Sequence, residues 1–208
     1  NERAENKGFP MHDLVVATHN AGKVHELRDL LAGQGFQLRS LDEFPDTTEP
    51  EEHGDTFEAN ALIKARAAAE QTGEWALADD SGLCVDALDG APGVKSARFA
   101  PGADENRWQK LLDVLADVPD DKRAARFVCV LAVVSPGGQE FTVQGTCEGR
   151  IGRAPRGQHG FGYDPVFIVA DDPAQRTMAE LSTAEKRAVS HRGRAFEALR
   201  PHLARLIR

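Results

Sequence analysis

Val15-Val16-Ala17-Thr18-His19-Asn20-Ala21-Gly22-Lys23-Val24-His25-Glu26-Leu27 reads as a buried strand, a polar turn and the start of an amphipathic helix. Residues 14–18 are a short apolar run of the kind buried on both faces of a parallel sheet. From residue 20 the period changes: Val24, Leu27, Leu30 and Leu31 recur at helical spacing through residue 31, and Gly33 and Gly35 follow. A strand feeding a helix through a turn with Gly22 and Lys23 presents backbone N–H groups and an ammonium at a helix N-terminus, a favourable place for phosphate. A simpler reading stays open, in which Thr18 and Asn20 merely cap the helix and Lys23 is a solvated surface residue. The turn is not a Walker loop, because GxxxxGK[ST] is absent.

Working outward, residues 36–41 read as a second strand and residues 45–54 as an acidic loop with Glu49, Glu51 and Glu52. Asp55-Thr56-Phe57-Glu58 has the N-cap and N3 residues of a capping box, opening an alanine-rich helix to about Gln71, with Gly73 beyond. Residues 75–78 are apolar and run into Asp79-Asp80-Ser81-Gly82, which ends the strand in a polar turn. Residues 82–104 read mostly as loop, with room for a short strand at 84–87, and residues 106–115 as a short helix. Two strand-like runs, 126–135 and 140–151, are joined by Pro136-Gly137-Gly138 as a hairpin. A glycine-rich loop covers 152–165, and Ser182-Thr183-Ala184-Glu185 is a capping box that opens the C-terminal helices. A strand–helix–strand opening with a later hairpin predicts an α/β fold around a mixed sheet.

The chain of 208 residues is 41% hydrophobic, enough for one sizeable domain or two small lobes. Its formal net charge of −8 makes it a poor binder of nucleic acid or anionic membrane, so neither is expected as a partner. Any phosphate must be met by a few local cations or by a metal ion. Cys84, Cys129 and Cys147 have no CxxC spacing and are odd in number, which disfavours a disulfide framework or zinc site and fits a reducing cytoplasm. Residues 1–10 precede Met11, are polar and patternless, and are set aside as an appended remnant or a mis-set start. Residues 11–208 are expected to form one unit.

Several other groups can carry chemistry. Asp79 and Asp80 can hold Mg²⁺ or activate a water, although Asp-Asp-Ser-Gly taken alone is more simply a polar turn. The glutamates of the acidic loop can complete a metal shell, or simply form a solvated charge run beside a helix. Phe161, Gly162, Tyr163 and Asp164 offer an aromatic for stacking on a base and a carboxylate for a ring N–H, or else an aromatic loop anchor. Lys64 follows Asn60 by four residues and shares its helix face. On one straight helix Lys186 and His191 would point roughly 140° apart. If Ser190 instead caps a new helix, His191 and Arg192 enter its first turn.

The order of these motifs is more specific than any one of them. Thr-x-Asn-x-x-Lys-x-x-Glu-Leu from Thr18 is followed by Glu-x-x-Gly-x-Thr-Phe-x-x-Asn-Ala-x-x-Lys-Ala from Glu51 and Ala-Asp-Asp-Ser-Gly-Leu from Ala78. Gly-Ala-Pro-Gly-x-x-Ser-Ala-Arg from Gly90, Gly-Phe-Gly-Tyr-Asp-Pro from Gly160 and Glu-Lys-x-x-x-Ser-His-Arg-Gly from Glu185 complete the series. It resembles the inosine triphosphate pyrophosphatase family, in its bacterial dITP/XTP pyrophosphatase branch, over residues 14–199. The resemblance implies a two-lobed α/β fold, with a central mixed, twisted sheet flanked by helices and an active-site cleft between the lobes. It also implies a Mg²⁺-dependent homodimer that cleaves purine nucleoside triphosphates carrying hypoxanthine or xanthine to the monophosphate and pyrophosphate.

Carried over by position, Thr18, His19, Asn20, Ala21, Gly22 and Lys23 would hold the triphosphate, with Lys64 helping. Glu51 and Asp80 would be metal ligands, Asp80 also the general base, with Asp79 in support and Ser81 touching substrate. Phe161, Gly162, Tyr163 and Asp164 would form the base pocket, closed by Lys186, His191 and Arg192. His19 departs from the small residue usual in the family and is expected to point outward. The alternatives are a pyrophosphatase for pyrimidine or modified nucleotides, and a nucleotide-binding sensor without turnover.

Overall fold

The computed structural model describes residues 12–206; the segment 1–10 set aside above lies outside them. One six-stranded sheet has the order β2-β1-β3-β4-β5-β6. Strands β1 (His12–Val16), β2 (Phe36–Ser40) and the first part of β3 (Trp75–Val85) are parallel. Strands β4 (Ala124–Val134), β5 (Glu140–Ile151) and β6 (Phe167–Val169) continue the sheet antiparallel, so the sheet is mixed as expected. Among the described residues five α-helices surround it: α1 (Ala21–Leu31), α2 (Phe57–Thr72), α3 (Asp104–Val114), α4 (Thr183–Val189) and α5 (His191–Leu206).

Successive strand side chains face opposite sides, and the core follows that alternation. Leu14, Val16, Leu77, Leu131 and Val133 pack on one face against Leu27 and Leu30 of α1 and Phe196 and Leu199 of α5. Val15, Ala76, Ala78 and Ala132 pack on the other face against Ala61, Ala65, Ala68 and Ala69 of α2, small residues that let the helix lie close. The far ends of β3, β4 and β5 carry a separate cluster, in which Leu83, Val85, Ala125, Phe127 and Ile151 meet Leu111 and Leu115. The first two clusters cover the two faces of one part of the sheet and the third covers the other part, and these parts are the first and second lobe. β3 runs through both, with Leu77 and Ala78 in the first, Leu83 and Val85 in the second, and Asp79 to Gly82 between them.

Three boundaries differ from the sequence reading. Asp79-Asp80-Ser81-Gly82 is not a turn but the middle of an 11-residue strand, paired with β4 from Ala76↔Val134 to Val85↔Ala125. Burial is tolerable there because the carboxylates find cationic partners. The cap of α2 is Thr56, whose hydroxyl accepts from the Ala59 N–H, so the capping box expected from Asp55 and Glu58 does not form. β6 lies just beyond the stretch read as glycine-rich loop, three apolar residues being too few for a periodic signal. The hairpin, the capping box at Ser182 and the helix ends at Gly33 and Gly73 agree with expectation.

Candidate active site

β1 pairs with β3 only as far as Val16↔Leu77, after which the Ala17 N–H closes on the Leu77 carbonyl at 2.8 Å. Beyond that point the β3 edge has lost its neighbouring strand. The Asp79 carbonyl there accepts instead from Lys64 Nζ at 2.9 Å and Lys23 Nζ at 3.4 Å. Two lysines, Lys23 of α1 and Lys64 of α2, thus converge where the lobes meet.

The Asp79 side chain turns to the α5 side of the sheet and is fully buried. Its Oδ1 lies 2.6 Å from Lys23 Nζ and accepts from the Ser81 hydroxyl at 2.8 Å. Its Oδ2 accepts from Arg192 Nε at 2.7 Å and from the Cys129 thiol at 3.2 Å. Burial acts to raise its pKa, but Arg192 and Lys23 outweigh it and hold the carboxyl well below the usual range. Arg192 is itself buried and is shared with Glu26 of α1. Glu26 also accepts from Lys186 Nζ at 2.5 Å, and Lys186 reaches Asp164 at 2.7 Å. One chain of alternating charge therefore runs Lys23–Asp79–Arg192–Glu26–Lys186–Asp164.

Asp80 turns the other way, toward α2. Lys64 Nζ donates to its Oδ1 at 3.1 Å, while its buried Oδ2 has no hydrogen-bond partner among the described residues. Burial is the largest influence on this carboxyl and, despite Lys64 and Lys23, raises its pKa. Lys64 is pulled down by burial, but Asp80, Glu52 and Asp79 together raise it, so the ammonium stays charged.

The aromatic loop stands at the opposite end of the charged chain. Gly160 and Gly162 both have positive φ, which lets the loop fold back so that Asp164 accepts the Phe161 N–H at 3.0 Å. Asp104 accepts the Gly162 N–H at 2.6 Å, and the Tyr163 hydroxyl donates to the Ser96 carbonyl at 2.7 Å. The Phe161 ring rests on Gly22, where a Cβ would come within 2.7 Å of a ring carbon. Lys186 Nζ and the Arg192 guanidinium carbon lie 4.9 and 5.7 Å from the ring centre. Cavities flank Phe161: one of about 290 Å³ lined by Glu26, Leu30, Leu181 and Ser190, the other of about 100 Å³ lined by Asn20, Lys23, Ser81, His191 and Arg192.

Ser190 breaks the C-terminal helices, the second of the two arrangements the sequence left open. Its backbone is extended and its hydroxyl accepts the Gly193 N–H at 3.1 Å, capping α5. The break brings Lys186 of α4 and Arg192 of α5 onto the same carboxylate, Glu26. His191 is buried and stacks on Phe127 with ring centres 4.7 Å apart. Burial, then Arg192, push its pKa well down, so the imidazole is neutral, and its Nδ1 has no partner among the described residues.

In the phosphate turn, the Thr18 and Asn20 side chains serve the turn itself, accepting from the N–H groups of Asn20 and Lys23. His19 does point outward, with Nδ1 3.1 Å from Asp42. Ala21 opens α1. In the acidic loop, Glu51 is exposed, and it is Glu52 whose carboxylate lies 3.6 Å from Lys64. Asn60 sets this path: its side chain accepts the Gly54 N–H at 2.8 Å and donates to the Gly54 carbonyl at 3.2 Å. The sequence reading assigned Glu26 no role, and it left Glu52 as one of three acidic-loop glutamates able to complete a metal shell. The available signal for Glu26 was its position three residues after Lys23 on the same helix face.

An α/β protein whose lobes share a strand, with carboxylates and lysines meeting at their junction beside an aromatic loop, is a candidate hydrolase of an anionic substrate. The chain belongs to the Ham1 family, whose model matches residues 14–202. A dITP/XTP pyrophosphatase of Symbiobacterium thermophilum is 57% identical over 183 residues, covering 88% of this chain and 90% of that protein. The solved structure of a HAM1 protein from Coxiella burnetii superposes with a TM-score of 0.84 at 45% identity, covering 94% of this chain and all of that one. The crystal structure of a nucleoside-triphosphatase/dITP/XTP pyrophosphatase from Mycobacterium abscessus gives a TM-score of 0.73 at 48% identity, covering 90% and 98%.

Proposed function

We propose that this protein hydrolyses dITP, ITP and XTP to the nucleoside monophosphate and pyrophosphate, clearing deaminated purines from the nucleotide pool. The relatives named dITP/XTP pyrophosphatase support the substrate and reaction. The observation that carries the chemistry is the buried Asp80 Oδ2, without a partner among the described residues, with Lys64 on the other oxygen and Lys23 on the neighbouring Asp79. With Lys64 holding Oδ1, Oδ2 is free to accept a proton from water. The water oxygen then bonds to the α-phosphorus, the bond to the bridging oxygen breaks, and the electron pair leaves with pyrophosphate. Lys23 and Lys64 offset the charge of the phosphates, and Phe161 supplies a face for the purine.

Magnesium is part of the proposal. Among the described residues no group of three or more His, Cys, Asp or Glu forms a cage, but Mg²⁺ typically takes one or two carboxylates plus substrate phosphates. Asp80 with an acidic-loop glutamate fits that need: Glu51 by the resemblance, Glu52 by its place beside Lys64. When bound, Mg²⁺ would polarise the α-phosphate and offset its charge.

Base choice follows from hydrogen-bond arithmetic. Lys186 and Arg192, beside the Phe161 ring, are donors. A 6-oxo purine can accept from them, whereas the 6-amino group of adenine cannot, and an unpaired buried group costs about 1–3 kcal/mol. We extend the proposal to a homodimer and to a reducing, cytoplasmic setting, the latter supported by three free cysteines. No helix among the described residues is long and apolar enough to cross a membrane.

The test is turnover with Mg²⁺ across ITP, dITP, XTP, GTP, dTTP and UTP, with products identified. Monophosphate and pyrophosphate from the first three are expected. Orthophosphate as product would change the reaction class, and a preference for dTTP or UTP would overturn the substrate. Bound ITP without turnover would favour a sensor.

A further inference from the structure

Of the Gly90–Arg98 motif only the Ser96 carbonyl, which holds Tyr163, belongs to the site described above, yet the whole segment is built into the cleft wall. The short 3-10 segment Gly93–Arg98 is clamped to β3: the Ser96 hydroxyl accepts the Leu83 N–H at 2.9 Å and donates to the Gly93 carbonyl at 2.6 Å. Gly82 makes the close approach possible, since a Cβ there would collide with the Gly93 carbonyl and lie 2.6 Å from the Ser96 hydroxyl. The Ser96 carbonyl receives the Tyr163 hydroxyl of the aromatic loop. Ser96 and Ala97 line the same cavity as Asn20, Lys23 and Arg192. Two residues beyond Ser96, Arg98 is therefore held at the cleft mouth on the second lobe.

Arg98 reaches across that mouth. Its guanidinium lies 3.6 Å from Glu52, and Glu52 lies 3.6 Å from Lys64, which holds Asp80. The other cations of the site are differently placed. Lys23, Lys64, Lys186 and Arg192 each have a carboxylate within 3.1 Å and are largely buried. Arg98 has a long ion pair and a side chain that is 67% exposed. A triphosphate brings more negative charge than closely paired cations can meet. A guanidinium that exchanges one carboxylate for phosphate oxygens without leaving water loses little on the way.

We propose that Arg98 binds the terminal phosphates of the substrate, the part that departs as pyrophosphate, exchanging Glu52 for phosphate oxygens across the lobes. The inference rests on the triphosphate reading above and adds a residue from the second lobe to it. Its ligand class is a diphosphate group, whether attached to the nucleoside or free.

The experiment compares wild type, Arg98→Ala and Arg98→Lys in steady-state ITP hydrolysis, with inorganic pyrophosphate and IMP as product inhibitors. In Arg98→Ala, KM for ITP and the inhibition constant of pyrophosphate should both rise roughly ten- to a hundredfold, from loss of a charge-assisted contact. The IMP constant should stay within about twofold, because IMP lacks the leaving phosphates. Arg98→Lys should recover part of the loss, keeping the charge without the planar fork. The inference is overturned if pyrophosphate inhibition is unchanged in Arg98→Ala, or if IMP and pyrophosphate weaken equally. If wild type itself releases no pyrophosphate from ITP, it is the substrate reading that fails. Thermal unfolding matching wild type confirms that the exposed side chain was not needed for folding.

Discussion

Asp79 sits on the α5 side of β3, where Lys23, Arg192, Ser81 and Cys129 all reach its carboxylate. Asp80, the next residue, sits on the α2 side with Lys64 on one oxygen and nothing on the other among the described residues. Burial is the leading influence on both. It is outweighed at Asp79, whose pKa is lowered, and prevails at Asp80, whose pKa is raised. The alternation of a strand thus gives two identical neighbours unlike work: Asp79 fixes the cations of the first lobe in place, while Asp80 keeps an oxygen for a proton.

The contrast is broken most severely at Asp80. Asp80→Asn should leave ITP affinity near wild type and lower kcat by about 10²–10⁴-fold, the range for loss of a positioned acid–base group. Rapid-quench turnover with a binding titration checks this, and an active variant would remove Asp80 from the base role. Asp79→Asn should act chiefly on stability, because Arg192 and Lys23 lose their buried counter-charge. A loss of roughly 3–5 kcal/mol is expected in urea unfolding at neutral pH. The sign of its pH dependence is fixed. The folded pKa of Asp79 lies well below the ordinary carboxylate value, so its contribution is complete above that ordinary value and fades as the pH falls toward the folded one. The gap between Asp79→Asn and wild type should therefore narrow in acid.

Two milder changes sharpen the same contrast. Glu26→Gln keeps the shape but not the charge of the group shared by Lys186 and Arg192. It should raise KM for ITP about tenfold with a smaller change in kcat, the loss of one charge-assisted contact's worth of positioning. Selectivity for ITP over ATP, measured as a kcat/KM ratio, should fall with it. Lys64→Met removes a partner that holds the Asp80 pKa down. The acid limb of its kcat/KM profile should move to higher pH, and an unmoved limb would mean that Asp80 does not set it.

Much of this was legible in the chain. The apolar run at 14–18 and the change to helical spacing after Asn20 specify the existence of β1 and α1, because both signals are local periodicity, although β1 itself spans His12–Val16. The break at Ser190 was legible only as one of two alternatives, since one straight helix cannot bring Lys186 and His191 together but nothing local required that they meet. The course of β3 through Asp79 and Asp80 was not. Local polarity there argues for a turn, and what overrides it is a set of cations from α1, α2 and α5, distant in sequence. Glu26 was hidden for the same reason, as its partners lie 160 and 166 residues away. The choice between Glu51 and Glu52 depends on how Asn60 pins Gly54, which no spacing rule reports.

The uninterrupted course of β3 through both lobes, bonded to β4 along its length, has a thermodynamic consequence. Two units joined by a linker can melt separately, whereas two clusters strung on shared strands cannot release one without exposing the other's backbone. The lobes are in that sense halves of one cooperative unit. Calorimetry should find a single transition whose calorimetric and van't Hoff enthalpies agree, and motion that admits substrate falls to the segments hung on the sheet rather than to the sheet itself.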